Sequence, residues 1–200
     1  MKKSLLAFVF FALLLSCSKN NGSDNEDQFP YYFTATINGN AVRYEANDIN
    51  SRYECGFSMP SSSLGTTDYD IYQGTFIQDG LAPTKNNIYV HILKYFTHDP
   101  SDPEILGMLH LGVYPYGVSN VSSSTINGAS IAYVDASGKG WDSEAGPQTG
   151  SSFTVNEIAD NLDGTSGKIV KASFSCKLYD ASGASIEVKN AVIRGKIFNP

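Results

Sequence analysis

The chain has 200 residues, with 14 basic and 20 acidic side chains and a formal net charge of −6. An acidic chain without a basic stripe argues against nucleic acid as a partner and against electrostatic docking to anionic membranes. Charged residues are sparse, whereas Gly, Ser, Asn, Thr and Tyr are abundant. This composition is typical of an extracytoplasmic β protein rather than of a cytosolic helical one.

Residues 1–16 have the pattern of a signal peptide. Lys2 and Lys3 precede an apolar run that is too short to span a bilayer as a helix. The run ends in Leu14-Leu15-Ser16-Cys17, which resembles the lipobox of bacterial lipoproteins. The resemblance implies cleavage before Cys17 and attachment of acyl chains such as palmitate at its thiol. An ordinary secreted protein with a chance cysteine at the cleavage site is the alternative.

Residues 17–28 follow as the lipidated Cys17 and a polar segment, SKNNGSDNEDQ, that cannot bury a core. We expect this segment to be a flexible acidic tether. Such tethers resemble the surface-export signals of Bacteroidetes-type lipoproteins, although here the acidic residues begin seven positions after Cys17. The expected location is therefore the outer membrane, with the domain facing either the periplasm or the cell surface.

Residues 29–200 have the length and patterning of one all-β domain. Residues 31–37 alternate between apolar and polar, Asn38-Gly39 favours a type I′ turn, and residues 42–46 alternate on the return strand. The tetrapeptide DASG, at 135–138 and again at 180–183, predicts two further hairpin turns. Other strands are predicted at 49–57, 69–78, 87–96, 105–113, 129–134, 152–158, 167–179, 185–188 and 191–198, with loops at 58–68, 97–104, 118–124 and 135–150.

About ten short strands with regularly spaced turns predict an antiparallel β-sandwich or a barrel-like domain. The opening FTATINGNAVRYEA, and the segment from Ser151 to Phe198, resemble the first hairpin and the ending of uncharacterised Bacteroidetes-type lipoprotein domains. The resemblance implies an all-β domain on a lipid anchor. It implies no activity, because those relatives have no established molecular function.

Cys55 and Cys176 lie on strand-like segments, in phase with apolar neighbours. An oxidising compartment would allow a disulfide between them. Two buried free thiols acting as small apolar side chains are the alternative, and the sequence leaves both open.

Trp141 is the only tryptophan, and it lies in the Gly-rich loop at 135–150. An aromatic ring beside Asp142 and Glu144 has the chemistry of a saccharide site, and Tyr114 and Tyr116 offer a second aromatic platform. A tryptophan that folds back to anchor its own loop is the alternative.

Oxygen ligands in the same loop raise the question of a Ca²⁺ site. Asp135, Asp142 and Glu144 are the candidate ligands, although they lack the ligand order of an EF-hand. His98, beside Asp99 and Glu104, is a weaker metal candidate in a Pro-rich loop. No zinc spacing, nucleophile elbow or paired carboxylates can be nominated, so we find no catalytic constellation.

These observations predict a lipid-anchored binding or structural module whose ligand is unidentified. A glycan is the first candidate ligand, and a surface protein is another. The alternatives are a small hydrolase on the same anchor and a calycin-like carrier of an apolar ligand. A hydrolase needs His and carboxylate groups in one pocket, whereas a carrier needs a closed barrel with an apolar cavity.

Overall fold

The computed structural model describes residues 30–47, 50–65, 67–160 and 167–197. The predicted signal peptide, Cys17 and the tether lie outside these ranges. The described residues form twelve strands and one short helix. In chain order the elements are β1 Tyr31–Ile37, β2 Asn40–Ala46, β3 Tyr53–Ser58, β4 Ser61–Leu64, β5 Asp68–Asp79, β6 Asn87–Phe96, α1 Asp102–Leu106, β7 Gly112–Tyr114, β8 Gly128–Val134, β9 Gly140–Asp142, β10 Ser152–Asp160, β11 Lys168–Tyr179 and β12 Ser185–Ile197.

The first hairpin forms as its turn sequence predicts. Asn38 and Gly39 have φ angles of 49° and 81°, the left-handed backbone that a type I′ turn requires at both central positions. Strands β1 and β2 then pair in antiparallel register from Ile37 opposite Asn40 to Tyr31 opposite Ala46.

Nine strands close into a barrel in the order β1, β2, β3, β5, β6, β8, β9, β11, β12, with β12 returning to β1. The barrel is mixed because β2 and β3 run parallel, through the pair Ala46 and Tyr53. Strand β4 extends β5, and β10 and β7 continue the sheet beyond β11. The all-β prediction is therefore confirmed, in its barrel form.

Side chains fill the space inside the wall. Gly195 of β12 packs so closely on β5 that a Cβ atom there would lie 2.2 Å from Thr75 Oγ1. A cavity of about 10 Å³ lies beside Gln73, Val90 and Ile193. Such a space is about the size of one water molecule.

Several local predictions were wrong. A helix, α1, begins within the predicted Pro-rich loop and replaces the start of the strand predicted at 105–113. It forms because the Glu104 carboxylate accepts hydrogen bonds from the Ser101 N–H (2.9 Å) and hydroxyl (2.7 Å), which caps the first turn. Strands β4 and β9 lie in predicted loops, and β12 runs through the break predicted at 189–190.

Cys55 and Cys176 are both thiols, so the disulfide that the sequence allowed does not form. Lys196 of β12 donates its N–H to Cys55 Sγ at 3.4 Å, whereas Cys176 pairs with Val188 of the same strand. Eight strand residues span about 26 Å. A disulfide requires Cα atoms within about 7 Å of each other.

Across the described ranges, no helix has the length and apolar character needed to cross a membrane.

Candidate functional site

One continuous row of side chains crosses four neighbouring strands on the outside of the barrel. Tyr89 of β6 pairs with Ala132 of β8, Ala132 pairs with Asp142 of β9, and Asp142 pairs with Tyr179 of β11. All four residues are half-buried, whereas the residues that precede Tyr89, Ala132 and Tyr179 are at most 1% exposed. Because side chains alternate along a strand, this row faces outward.

The row forms a groove of about 300 Å³. Three strand spacings separate the two tyrosines, about 14 Å. Small and acidic side chains lie between them, so the tyrosines are the walls and the residues between them are the floor. The lining residues are Tyr89, Ala132, Tyr133, Val134, Gly140, Trp141, Asp142, Ala145, Tyr179, Asp180 and Ala181.

The Tyr179 wall is held in place from behind. Its ring lies against Gly146 so closely that a Cβ atom there would be 2.6 Å from Cζ. Its hydroxyl donates to the Pro147 carbonyl at 2.7 Å. The ring is therefore positioned before any ligand arrives, which lowers the entropy cost of binding.

The Tyr89 wall belongs to an aromatic ladder. Its ring centroid lies 5.8 Å from that of Phe76 and 6.3 Å from that of His91. Phe76 in turn covers Gly56, where a Cβ atom would lie 2.6 Å from its ring. These contacts brace Tyr89 along β5 and β6.

Asp142 supplies the polar group of the floor. Its Oδ1 accepts the Glu144 N–H at 2.7 Å. Burial raises the pKa of the Asp142 carboxyl above its usual range, and the charge of Glu144 adds to the rise. The contacts described for Asp142 use Oδ1 alone, so Oδ2 is available to a ligand.

Trp141 borders the groove but also anchors the β8–β9 turn. It pairs with Tyr133, which is 6% exposed and whose hydroxyl lies 3.2 Å from that of Tyr44. The indole N–H donates to Asp135 Oδ2 at 3.0 Å, and Lys139 Nζ lies 4.2 Å from the ring centroid. The indole is thus fixed by its own hairpin.

Both DASG segments form hairpin turns, as predicted. In each, one aspartate oxygen accepts the N–H and hydroxyl of the serine two residues on, and the N–H four residues on. Burial opposes ionisation of Asp135, yet bonds from Ser137 and Trp141 lower its pKa to about 2. Lys139 lies 2.5 Å from Asp180, linking the two turns, and lowers the Asp180 pKa.

Tyr114 and Tyr116 do not line the groove. Tyr114 is 7% exposed, and its hydroxyl accepts the His110 N–H at 2.6 Å. The Tyr116 hydroxyl lies 3.3 Å from the carbonyls of Ser152 and Ser175. The sequence analysis nominated Trp141, which lines the groove, but not Tyr89 and Tyr179, which form its walls.

Glu144 also points away from the floor. Its Oε1 accepts the Ser130 hydroxyl at 2.5 Å, and its Oε2 accepts the Ser119 N–H at 2.8 Å. The Ser119 hydroxyl donates to Asp70 Oδ2 at 2.5 Å, and the Val121 N–H donates to the same oxygen at 2.8 Å. Two carboxylates thus hold the loop that follows Tyr116 against the barrel wall.

The predicted Ca²⁺ ligands are not assembled into one site. Asp135 accepts hydrogen bonds within its own turn, Asp142 faces the groove, and Glu144 accepts a hydrogen bond from the loop at Ser119. Among the residues that the structure describes, no group of three or more His, Cys, Asp or Glu side chains could hold a metal ion.

The three histidines lie in different environments. His91 is 7% exposed, and burial lowers its pKa to about 4. His98 contacts Glu104 at 2.9 Å, and the His110 ring stacks on Tyr114 at 4.5 Å.

Comparison with protein-family models, curated proteins and solved structures gave no match to this chain. The function is therefore argued from the groove itself.

Proposed function

We propose that the protein is a lipid-anchored binding module, attached to the outer membrane through Cys17, and that the Tyr89–Tyr179 groove binds a saccharide. The observation that carries the proposal is the cross-strand row, which places two tyrosine walls around the Asp142 carboxylate. Aromatic rings stack on the apolar face of a sugar, and a carboxylate accepts bonds from its hydroxyls.

The form of the groove supports a saccharide over a compact apolar ligand. It lies on the outer surface, holds about 300 Å³ and has a carboxylate in its floor. A sugar ring can reach such an open groove from solvent. A compact apolar ligand would instead need an enclosed cavity that buries most of its surface.

Two observations disfavour the rival functions. The Ser130 and Glu144 side chains are bonded to each other, and the neighbouring His91 is 7% exposed, so a hydrolase substrate would not reach this cluster. The cavity of about 10 Å³ beside Gln73 is far too small for an apolar cargo.

The anchor is tested by metabolic labelling with palmitate. We expect label on the wild-type protein and none on a Cys17→Ser variant. A Cys55→Ser variant is the matched control and should keep the label. Labelling of Cys17→Ser would contradict the anchor while leaving the groove proposal intact.

The groove is tested with the mature lipidated protein in detergent micelles on a broad glycan array. We expect binding by the wild type and at least a tenfold loss in Tyr89→Ala. Phe57→Ala removes an aromatic ring that is 51% exposed on β3, outside the groove lining, and should bind normally. Absence of binding to any glycan would overturn the saccharide proposal and favour a protein partner.

A further inference from the structure

The charges around the groove are unbalanced. Among the described lining residues, the charged side chains are Asp142 and Asp180. Lys139, which directly precedes β9, pairs with Asp180 at 2.5 Å and lies over the Trp141 ring. Lys139 therefore neutralises Asp180, whereas no ion pair involves Asp142 within the part of the chain that the structure describes.

Asp142 is the uncompensated charge. It is half-buried, its one described hydrogen-bond donor is the neutral Glu144 N–H, and the Glu144 carboxylate adds repulsion. A partly desolvated carboxylate gains most from a partner that brings both a hydrogen-bond donor and a positive charge. A sugar hydroxyl supplies the donor alone.

The tyrosine walls favour the same kind of partner. The faces of tyrosine rings carry partial negative charge and attract ammonium groups within about 6 Å. Asp142 is the immediate cross-strand neighbour of Tyr179. The Asp142 and Tyr179 backbones lie one strand spacing apart, about 4.8 Å, so a cation bound at Asp142 has the Tyr179 side chain as its neighbour.

We propose that the ligand is an amino sugar with a free, protonated amine, whose ammonium group pairs with Asp142 while the sugar ring lies between Tyr89 and Tyr179. This inference rests on the proposed saccharide function and narrows its ligand class. An acetylated amine carries no charge and leaves Asp142 uncompensated, and a uronic or sulfated sugar is repelled by it.

The test compares two ligands with the same sugar backbone, one with free amines and one with acetylated amines, and the Asp142 variant below isolates the effect of charge. The mature lipidated protein in detergent micelles is titrated calorimetrically with a β-1,4-linked glucosamine tetramer and with its fully N-acetylated counterpart, at pH 6 and low salt. We expect the free amine to bind about tenfold more tightly or better.

Asp142→Asn is the decisive variant, because the amide oxygen can still accept the Glu144 N–H while the charge is gone. It should reduce the preference for the free amine to less than threefold. Asp99→Asn removes an exposed charge outside the groove and should keep the full preference. Thermal melting of both variants verifies that the fold is intact.

The other outcomes separate the two proposals. Equal affinity for both tetramers, or tighter binding of the acetylated one, would overturn the amine inference and leave saccharide binding in place. The amine inference would also be overturned, with saccharide binding still in place, if neither tetramer bound while other glycans on the array did. A wild-type preference that survives Asp142→Asn would overturn the assignment of Asp142. Failure of every glycan would overturn both proposals.

Discussion

Individual residues prepare the groove before a ligand arrives, and Gly146 is the clearest case. The Tyr179 ring occupies the space where any larger residue would place its Cβ, 2.6 Å from Cζ. Gly146→Ala should therefore push the ring out of position without removing it, and weaken glucosamine-tetramer binding by about tenfold. The measurement is a calorimetric titration with a melting curve beside it. Unchanged affinity would mean that Gly146 does not set the position of the wall.

His91 shows how burial at one residue controls acid stability. Its folded-state pKa of about 4 lies below the unfolded value of about 6.5, so the unfolded chain binds more protons as the pH falls through this window. The extra proton binding of the unfolded chain destabilises the fold progressively below pH 6.5. The loss of stability amounts to about 2 kcal/mol by pH 5.

The matched variant is His91→Phe, which keeps an aromatic ring against Tyr72 and Tyr89 but does not titrate. Urea unfolding at pH 7.5 and pH 5 should show a larger loss of stability in the wild type than in the variant. Equal losses in the two proteins would show that His91 titrates normally.

At the scale of elements, the turns could be predicted from sequence because their chemistry is local. Asn38-Gly39 and the two DASG segments contain in adjacent positions everything that the turn needs. Strand β4 and helix α1 were missed for the opposite reason. Strand β4 includes three consecutive serines and forms by pairing with the edge of β5. Helix α1 has only five residues and depends on the Ser101–Glu104 capping box, and its proline, which indicated a loop, is compatible with a first helical turn.

The groove is an element-scale feature that the sequence predicted only in part. Asp142 was found because it adjoins Trp141, whereas Tyr89 and Tyr179 lie 90 positions apart. They meet around one floor because the β6–β8–β9–β11 register aligns them. Two of these pairings, β6 with β8 and β9 with β11, join strands that are distant in the sequence, so no local pattern reveals the row.

The β8–β9 turn also yields a prediction. Asp135→Ala removes the acceptor of the Ser137, Lys139 and Trp141 bonds, and should cost about 1–3 kcal/mol. The emission of the sole tryptophan should move to longer wavelength as the indole becomes wetter. Asp180→Ala, the equivalent change in the partner turn, should cost a similar amount with a smaller spectral shift. Identical spectra for the two variants would contradict the anchoring role of Asp135.

At the scale of the whole molecule, the groove lies across one of the two seams of the barrel that a single residue pair joins. Strand β9 has three residues and joins β11 through the single pair Asp142 and Tyr179. The opposite seam, between β2 and β3, also has one pair. We expect the barrel to depend on packing across its interior to hold these seams closed, and Gly195 of β12 packs closely on Thr75 of β5 there.

Gly195→Ala tests this dependence. The added Cβ would lie 2.2 Å from Thr75 Oγ1, which forces β12 and β5 apart and should destabilise the fold by about 1–3 kcal/mol. Gly140→Ala is the matched control, because nothing lies within 4 Å of its Cβ position and its φ is not left-handed. Urea unfolding should show a lower midpoint for Gly195→Ala and an unchanged or higher one for Gly140→Ala. If both variants were as stable as the wild type, the contact between β12 and β5 would not hold the two seams together. The strand pairs at the seams would then have to keep the barrel closed by themselves.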